Sequence, residues 1–409
     1  MKILFISEYY PPKVMGGGEI NLAMTAEALA LSQSPEADVS VLTSYHHGLP
    51  VYDKKNGVHI YRWLKTGSSP STILSNIYRS FIFPSSVVRN VKRFVKQHPV
   101  DVIHFLGTSI IAAPSIAKLK IPLCATIESY PTLCPKGDRM YKGKKECSYR
   151  CSLQKFIPCQ AQSAEIGKMK NKWFLKYNLA YLLYLYHYHH RLRNALRFCR
   201  LIAISKYVQK LLLHHGHRAV VIPNILNVQD FQPRKKKKDT NQFTVLYLGS
   251  LTRYKGPQIL IQALRGLENV RADLYGEGPL KAKLEKYIQE YKINAQIHPP
   301  VPYEDVPKIY QTADAVIFPS LWPEPFGRIA IEAQAAGVPV IGSAVGGIRE
   351  TLEPENVVPP GNVNALRTAI TKITPNQPLK MEAENLYTPQ QVVQKLVSFY
   401  NEINTIPPS

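Results

Sequence analysis

The chain has 409 residues, 45% hydrophobic and 20% charged, which excludes a disordered or collagen-like protein. Lys and Arg outnumber Asp and Glu by 51 to 29, and the resulting +22 points to a negatively charged partner: nucleic acid, an anionic membrane surface or a phosphorylated substrate. No apolar run reaches the roughly 18 residues that span a bilayer, the N-terminus does not read as a signal peptide, and six cysteines are too few for a disulfide scaffold, so a reduced cytoplasmic setting is expected.

In chain order, the first strand is expected at Ile3–Ile6, before the pair Pro11-Pro12. A glycine loop (Gly16, Gly17, Gly18) follows, and a helical pattern begins at Glu19 with Leu22, Ala26 and Leu29 on one face. Apolar runs recur at Val39–Leu42, Val100–Phe105, Leu123–Ile127 and Leu201–Ile204, with helical stretches between them. Such alternation describes a parallel sheet covered on both faces. A second series runs through Phe243–Leu248, Ala272–Tyr275, Ala315–Phe318 and Val338–Ile341, so two α/β units of one kind are expected. The polar stretch Gln229–Gln242, with Arg234 followed by four lysines, is the expected linker. Thr388-Pro389 reads as an N-cap and first-turn proline of a last helix carrying Val393, Leu396, Val397 and Tyr400. There is no tandem repeat of 20 to 50 residues.

The most informative segment is PSLWPEPFGRIAIEAQAAGVPVIGSAVGGIRE, residues 319–350. Glu324 stands before Phe326-Gly327, and Glu332 follows eight residues later in an Ala-rich helix. Eight helical residues advance about 12 Å, which sets two carboxylates on one face at opposite ends of an elongated ligand. Gly327 at the helix start leaves backbone N–H groups open to phosphate. A sugar, a diphosphate and a ribose fit that order, although two surface glutamates at this spacing are also common.

This segment closely resembles the E-x7-E region of the GT-B glycosyltransferases of family 4, retaining enzymes that use nucleotide sugars. Other blocks resemble the family in the same order: MKILFISEYYPPKVMGGGE its first strand and glycine loop, LIAISKYVQKLL and VVIPNILN the end of its first domain, LYLGSLTRYKG its phosphate-binding strand, and LYGEGPLKAKLE its base-contacting loop. The resemblance implies an α/β GT-B fold of two Rossmann-like domains facing across a cleft. An acceptor-binding domain is expected at 1–224, a nucleotide-sugar domain at 225–386, and a C-terminal helix at 387–409 that crosses back to the first.

By the same resemblance Glu324 would bind hydroxyls of the donor sugar, the backbone at Phe326 and Gly327 would hold sugar and phosphates, and Glu332 would accept from the ribose. Lys255 would neutralise the diphosphate leaving group. Gly17 and Gly18 would let the first-domain loop approach the phosphates, and Glu277 falls in the base-contacting loop. Ser250 stands where the family usually has Arg, and Arg253 is the candidate replacement. At ATIESYPTLCPKG the family often reads T-L-H-D-Y-W. Glu128 takes the place of the His there and would stabilise positive charge at the anomeric carbon, unless it is a loop carboxylate outside the chemistry.

Cys134, Cys147, Cys151 and Cys159 fall within one loop rich in Lys, Gly and Pro. Cys147-x3-Cys151 fits zinc-ligand spacing while the outer gaps are irregular. A structural zinc is one reading, and reduced thiols or a redox-sensitive pair are the others. The stretch Lys168–Arg200 places Trp173, Tyr177, Tyr181, Tyr184 and Tyr188 at helical spacings among cations. That pattern suits an anionic headgroup layer, with His187, His189 and His190 interfacial, and it equally suits a helix packing its Tyr and Leu on the first domain.

The expected activity is retaining transfer from a UDP- or GDP-sugar to an acceptor hydroxyl. The acceptor would be a saccharide or a lipid-linked one, at the inner face of the cytoplasmic membrane, with no cofactor required for catalysis. Gly16–Gly18, Glu128 and Glu324 fall at carboxyl ends of strands, where open α/β sheets bind ligands. A nucleotide-sugar epimerase or a phosphorylase on the same fold is the alternative. A nucleic-acid-binding protein is the remote one, because no recognition motif accompanies the charge.

Overall fold

The computed structural model describes residues 1–32, 37–67, 73–148, 150–162, 178–231, 242–373 and 387–405. The chain divides into two compact units, Met1–Ile225 with Pro389–Ser409, and Leu226–Thr388. The passage between them thus falls before the expected linker, and the lysine run lies outside the described residues.

In the first unit the strands are β1 (Lys2–Ile6), β2 (Asp38–Ser44), β3 (Tyr52–Lys55), β4 (Val58–Leu64), β5 (Val102–Leu106), β6 (Leu123–Ile127), β7 (Met140–Tyr141), β8 (Lys145–Glu146), β9 (Arg200–Ala203) and β10 (Ala219–Val221). The helices are α1 (Gly17–Ala30), α2 (Ile73–Gln97), α3 (Ala113–Ile116), α4 (Leu153–Ala161), α5 (Leu179–Ala195) and α6 (Lys206–His214). Eight strands form one sheet in the order β10-β9-β6-β5-β1-β2-β4-β3, parallel except where β3 meets β4 antiparallel. The β3–β4 hairpin turns at Asn56-Gly57, both at positive φ. The apolar runs do not reveal it because β4 alternates buried and half-buried residues, and the edge strand β3 has no buried position. β7 and β8 form a separate small hairpin.

The second unit holds β11 (Phe243–Leu248), β12 (Val270–Tyr275), β13 (Ala295–His298), β14 (Ala315–Phe318), β15 (Val340–Ser343) and β16 (Val357–Val358). Its helices are α7 (Pro257–Leu264), α8 (Lys281–Glu290), α9 (Val306–Tyr310), α10 (Arg328–Ala335) and α11 (Val363–Lys372). The order β13-β12-β11-β14-β15-β16, all parallel, reverses direction at β11, which makes the carboxyl ends of β11 and β14 a topological switch point. The core is the apolar faces of these strands with Leu260, Leu264, Leu366 and Ile370 from the covering helices.

The last helix, α12 (Pro389–Thr405), belongs to the first unit. Its buried face, Val392, Val393, Leu396, Phe399, Tyr400 and Ile403, joins the same core as Ile3, Phe5 and Leu22. One polar contact fixes it there. Tyr400 Oη lies 2.7 Å from His104 Nδ1, and His104 Nε2 lies 2.7 Å from Thr126 Oγ1. His104 is 2% exposed, and burial alone pulls its pKa from 6.5 down to about 3, so the ring is neutral and uses one nitrogen as donor and one as acceptor.

The α5 helix is half packed and half open. His189 is buried with Nδ1 2.9 Å from the Pro131 carbonyl, so it is a core contact of the first unit and not an interfacial residue. Tyr184 Oη is bonded to Ser80 Oγ and to the Asn76 carbonyl of α2. Leu179 and Leu183, with Tyr78, Phe81 and Ile82 of α2, are exposed. Trp173 and Tyr177 lie outside the described residues.

Tyr400→Phe should leave a His104 nitrogen unpaired in the core and cost about 1–3 kcal/mol in urea unfolding of the first unit. Because the folded pKa of His104 is depressed, the unfolded chain binds the proton first. Stability should therefore fall as the pH drops from about 6.5 towards about 3. His189 and His215, drawn down to about 4 mainly by burial, add to the slope. A shallower urea-midpoint decline below pH 6.5 in His104→Gln checks the assignment, and an unchanged slope removes it.

Candidate functional site

At the switch point of the second unit, β14 exits at Phe318 into Pro319–Gly327 and α10 begins only at Arg328. Pro323 and Pro325 flank Glu324, and Gly327 caps the helix at φ +95°, so the residues from Glu324 to Gly327 are loop. This corrects the expectation of eight helical residues between the two glutamates: only the last four steps to Glu332 are helical. The loop is held from below. The Gly347 N–H donates to the Glu324 carbonyl at 2.7 Å. A Cβ on Gly346, at φ +55°, would stand 2.2 Å from that same carbonyl oxygen, so only glycine permits this approach.

Glu324 is 6% exposed, and its Oε1 accepts from Lys255 Nζ at 2.6 Å and from Ser320 Oγ at 2.9 Å. Lys255 ends the 3-10 turn Arg253–Lys255 that follows β11, and its ammonium sits 4.7 Å from the centre of the Trp322 ring. Two of the expected catalytic residues are thus one ion pair. Phe326 is buried and meets Tyr387 edge to face at 5.5 Å, leaving its backbone and the Gly327 N–H at the start of α10. Ser250, Arg253 and Glu277 are exposed on loops beyond β11 and β12. The Glu277 carbonyl accepts from the Leu251 N–H at 2.9 Å, which ties the two loops together.

Glu332 is more enclosed than a ribose acceptor would suggest. It is 4% exposed, and Oε1 accepts from Tyr303 Oη at 2.8 Å and Arg328 Nε at 2.6 Å, while Oε2 accepts from Tyr310 Oη at 3.0 Å. Burial works against the Arg328 charge, but the Glu332 carboxylate outweighs it and holds the guanidinium protonated well above its ordinary range. Three lone-pair positions of this carboxylate are in use, which leaves one for an outside hydroxyl.

In the first unit Glu128 follows β6, and its Oε1 accepts from Asn21 Nδ2 of α1 at 2.9 Å. A Cβ on Gly18 would stand 2.7 Å from Glu128 Oε2, so the missing side chain makes room for the carboxylate. Gly17 is exposed and opens α1, and Glu19 accepts from the Gly16 N–H at 2.9 Å as a helix cap. Sequence reasoning missed a second polar group on this unit. Glu8, two residues past β1, pairs with Arg79 of α2 at 2.6 Å and accepts from Thr108 at 3.2 Å and from Thr66. Its signal was a carboxylate at the carboxyl end of the first strand. Ser320, Trp322, Tyr303, Tyr310 and Arg328 were likewise missed, since their partners are distant in sequence or on another turn.

Cys134, Cys147, Cys151 and Cys159 come together around one cavity, and all six cysteines are free thiols. Among the described residues no group of three or more His, Cys, Asp or Glu is arranged to hold a metal ion as it stands, and no helix is long and apolar enough to cross a membrane.

Residues 228–386 match the family described as Glycosyl transferases group 1. An uncharacterized glycosyltransferase of Methanocaldococcus jannaschii is 25% identical over 377 residues, 87% of this chain and 83% of the relative. A D-inositol 3-phosphate glycosyltransferase of Pseudarthrobacter chlorophenolicus is 31% identical over 174 residues, 37% of this chain and 41% of that protein. Among solved structures, sucrose-phosphate synthase from Thermosynechococcus elongatus superposes with a TM-score of 0.75 at 21% identity over 99% of both chains. The Anabaena protein HepE, in complex with UDP and glucose, gives 0.64 at 19% identity over 98% of this chain and 99% of its own. These likenesses establish the fold as GT-B.

Glu332→Ala removes the acceptor of a buried guanidinium and two tyrosines, and should destabilise the second unit by about 3–5 kcal/mol. Glu332→Gln, which keeps one acceptor oxygen, should cost less. Equal urea midpoints for Glu332→Ala and the parent protein would show the network to be unimportant.

Proposed function

We propose that this chain, whose second unit is a Glycosyl transferases group 1 domain in a GT-B fold, is a retaining family 4 glycosyltransferase. It transfers a sugar from a UDP- or GDP-sugar to a hydroxyl of a saccharide or lipid-linked acceptor. The carrying observation is the Lys255–Glu324 pair at the carboxyl ends of β11 and β14. A donor diphosphate offers Lys255 a stronger anion than Glu324, and the sugar hydroxyls offer Glu324 donors in place of the ammonium. Binding therefore trades one ion pair for two matched contacts. Lys255 then meets the charge that builds on the leaving diphosphate, with the N-terminus of α10 adding positive potential. Because these groups supply the positive charge, the reading assigns no metal to the transfer step.

On the acceptor-binding unit, Glu128 is the carboxylate assigned to the developing oxocarbenium charge. Its support is the space left by Gly18 and the orienting bond from Asn21. Glu332 is assigned to the ribose through its remaining acceptor position, and Ser250, Arg253 and Glu277 to the phosphate and base side of the donor. The bound UDP and glucose of the HepE structure favour a uridine donor. The exposed apolar side chains of α2 and α5, together with the +22 charge, support peripheral binding to an anionic cytoplasmic membrane surface.

A thermal-shift panel of nucleotide sugars should single out one donor, because a ligand of the native state raises its Tm by mass action. No shift with any UDP- or GDP-sugar would sink the proposal. With that donor, Glu324→Gln should weaken binding and slow turnover together. Glu128→Gln should lower kcat roughly a hundredfold to a thousandfold with little change in donor affinity, and Gly18→Ala, which displaces the same carboxylate, should do likewise. Parent kcat in Glu128→Gln would make that residue a bystander. The protein should pellet with anionic but not neutral vesicles and be released by salt. Charge reversal at Lys168, Lys170 and Lys172 should weaken pelleting, and equal binding to neutral vesicles would remove charge as the cause.

A further inference from the structure

Between β6 and α5 the first unit carries a small subdomain with little regular secondary structure: a loop from Pro131, the two-residue strands β7 and β8, and α4. Its centre is a cavity of about 20 Å³. That is room for one water-sized occupant and too little for a nucleotide, a sugar or a multi-atom cluster. Cys134, Cys147, Cys151 and Cys159 all face it, one from the loop, one just past the hairpin, one just before α4 and one from within α4. Four thiols from the loop, the hairpin end and α4 on one small cavity form the pattern of a cross-link in a segment with little regular secondary structure.

Two features of the walls ask for negative charge inside. Arg139 lines the cavity, is 2% exposed, and has an Nε–H with no hydrogen-bond partner. Its guanidinium donates to the Cys147 carbonyl, a neutral acceptor. Lys136 also lines the cavity with its side chain 5% exposed, paired to Asp138 at 3.3 Å. A buried guanidinium left with an unused N–H is costly unless an anion is near. A backbone donor is aimed at one of the sulfurs as well. The Lys142 N–H points at Cys159 Sγ from 3.2 Å. N–H···S contacts of this kind stabilise thiolate over thiol.

We infer that Cys134, Cys147, Cys151 and Cys159 bind one zinc ion as a tetrathiolate that cross-links this subdomain. Four cysteine thiols and Zn²⁺ give a four-coordinate centre of net charge −2, with four protons released to solvent. That charge is a counterpart for the buried Arg139 guanidinium. The thiols do not yet form a coordination shell as they stand, so binding includes rotation of the side chains onto the cavity centre. The soft, all-sulfur donor set and the single-atom volume favour zinc over magnesium, calcium or an iron–sulfur cluster.

The test uses the full chain, expressed without a polyhistidine tag in zinc-supplemented medium and purified under reductant without chelators. Elemental analysis should give about one zinc per chain. Cys134→Ser, Cys147→Ser, Cys151→Ser and Cys159→Ser should each lose most of it, while Cys199→Ser, whose sulfur lies outside the cavity, keeps it. Should the variants fold poorly, the parent protein still decides the matter. Titration with an organomercurial should release one equivalent of zinc to a chromogenic chelator and lower the Tm. Three results overturn the proposal: less than a tenth of an equivalent of zinc, iron with visible absorbance in its place, or an intact mass short of two hydrogens that reports a disulfide among these four residues.

Discussion

The ion pair between Lys255 and Glu324 is the interaction on which the second unit's site depends, and its strength comes from partial burial. In open water a contact of 2.6 Å between such groups would be worth little. Here the Glu324 side chain is 8% exposed and that of Lys255 27%, with a tryptophan face below the ammonium and a buried serine hydroxyl sharing the carboxylate. Each charge is too enclosed to stand alone and open enough to be exchanged. The proposed exchange of this pair for a diphosphate and a sugar would need charges held in that intermediate state.

The backbone makes this possible before any side chain contributes. The parallel order of the second sheet reverses at β11, so the turn bearing Lys255 and the loop bearing Glu324 leave neighbouring strand ends. The Gly346-Gly347 backbone then presses against residues 323–326 at distances no Cβ would allow. The Glu332 network stands one turn into α10 and has the opposite character. Its carboxylate is held by one arginine and two tyrosines, so it fixes the helix start rigidly beneath the Glu324 loop.

Much of this was legible in the sequence. Unbroken apolar runs gave β1, β6, β11 and β14 within a residue or two, because strands buried on both faces leave no polar positions to confuse the pattern. Lys255 and Glu324 were legible from glycine and proline around them. The hairpin β3–β4 was not, since β4 alternates and the edge strand β3 carries no buried residue. Nor was the enclosure of Glu332: Tyr303 and Tyr310 reach it from a segment 22 and 29 residues away, and nothing local announces that they point inward. The partner of Glu128 was hidden for the same reason, since Asn21 lies 107 residues earlier on another element. His189 was misread because a histidine among tyrosines on a basic helix looks interfacial until the Pro131 carbonyl is seen to fill its nitrogen.

Across the molecule the buried cations follow one rule, and the exception to it is informative. Arg79 is matched by Glu8, Arg328 by Glu332 and Lys255 by Glu324, each at 2.6 Å. In a chain of net charge +22, such carboxylates are scarce and are placed where a cation enters low dielectric. Arg139 enters it as deeply as any of them, yet its described side-chain acceptor is a backbone carbonyl. Four cysteine sulfurs line the cavity beside it. The zinc ion inferred above would make these four sulfurs a centre of charge −2. Arg139 would then be matched by thiolates as Arg79, Arg328 and Lys255 are matched by carboxylates.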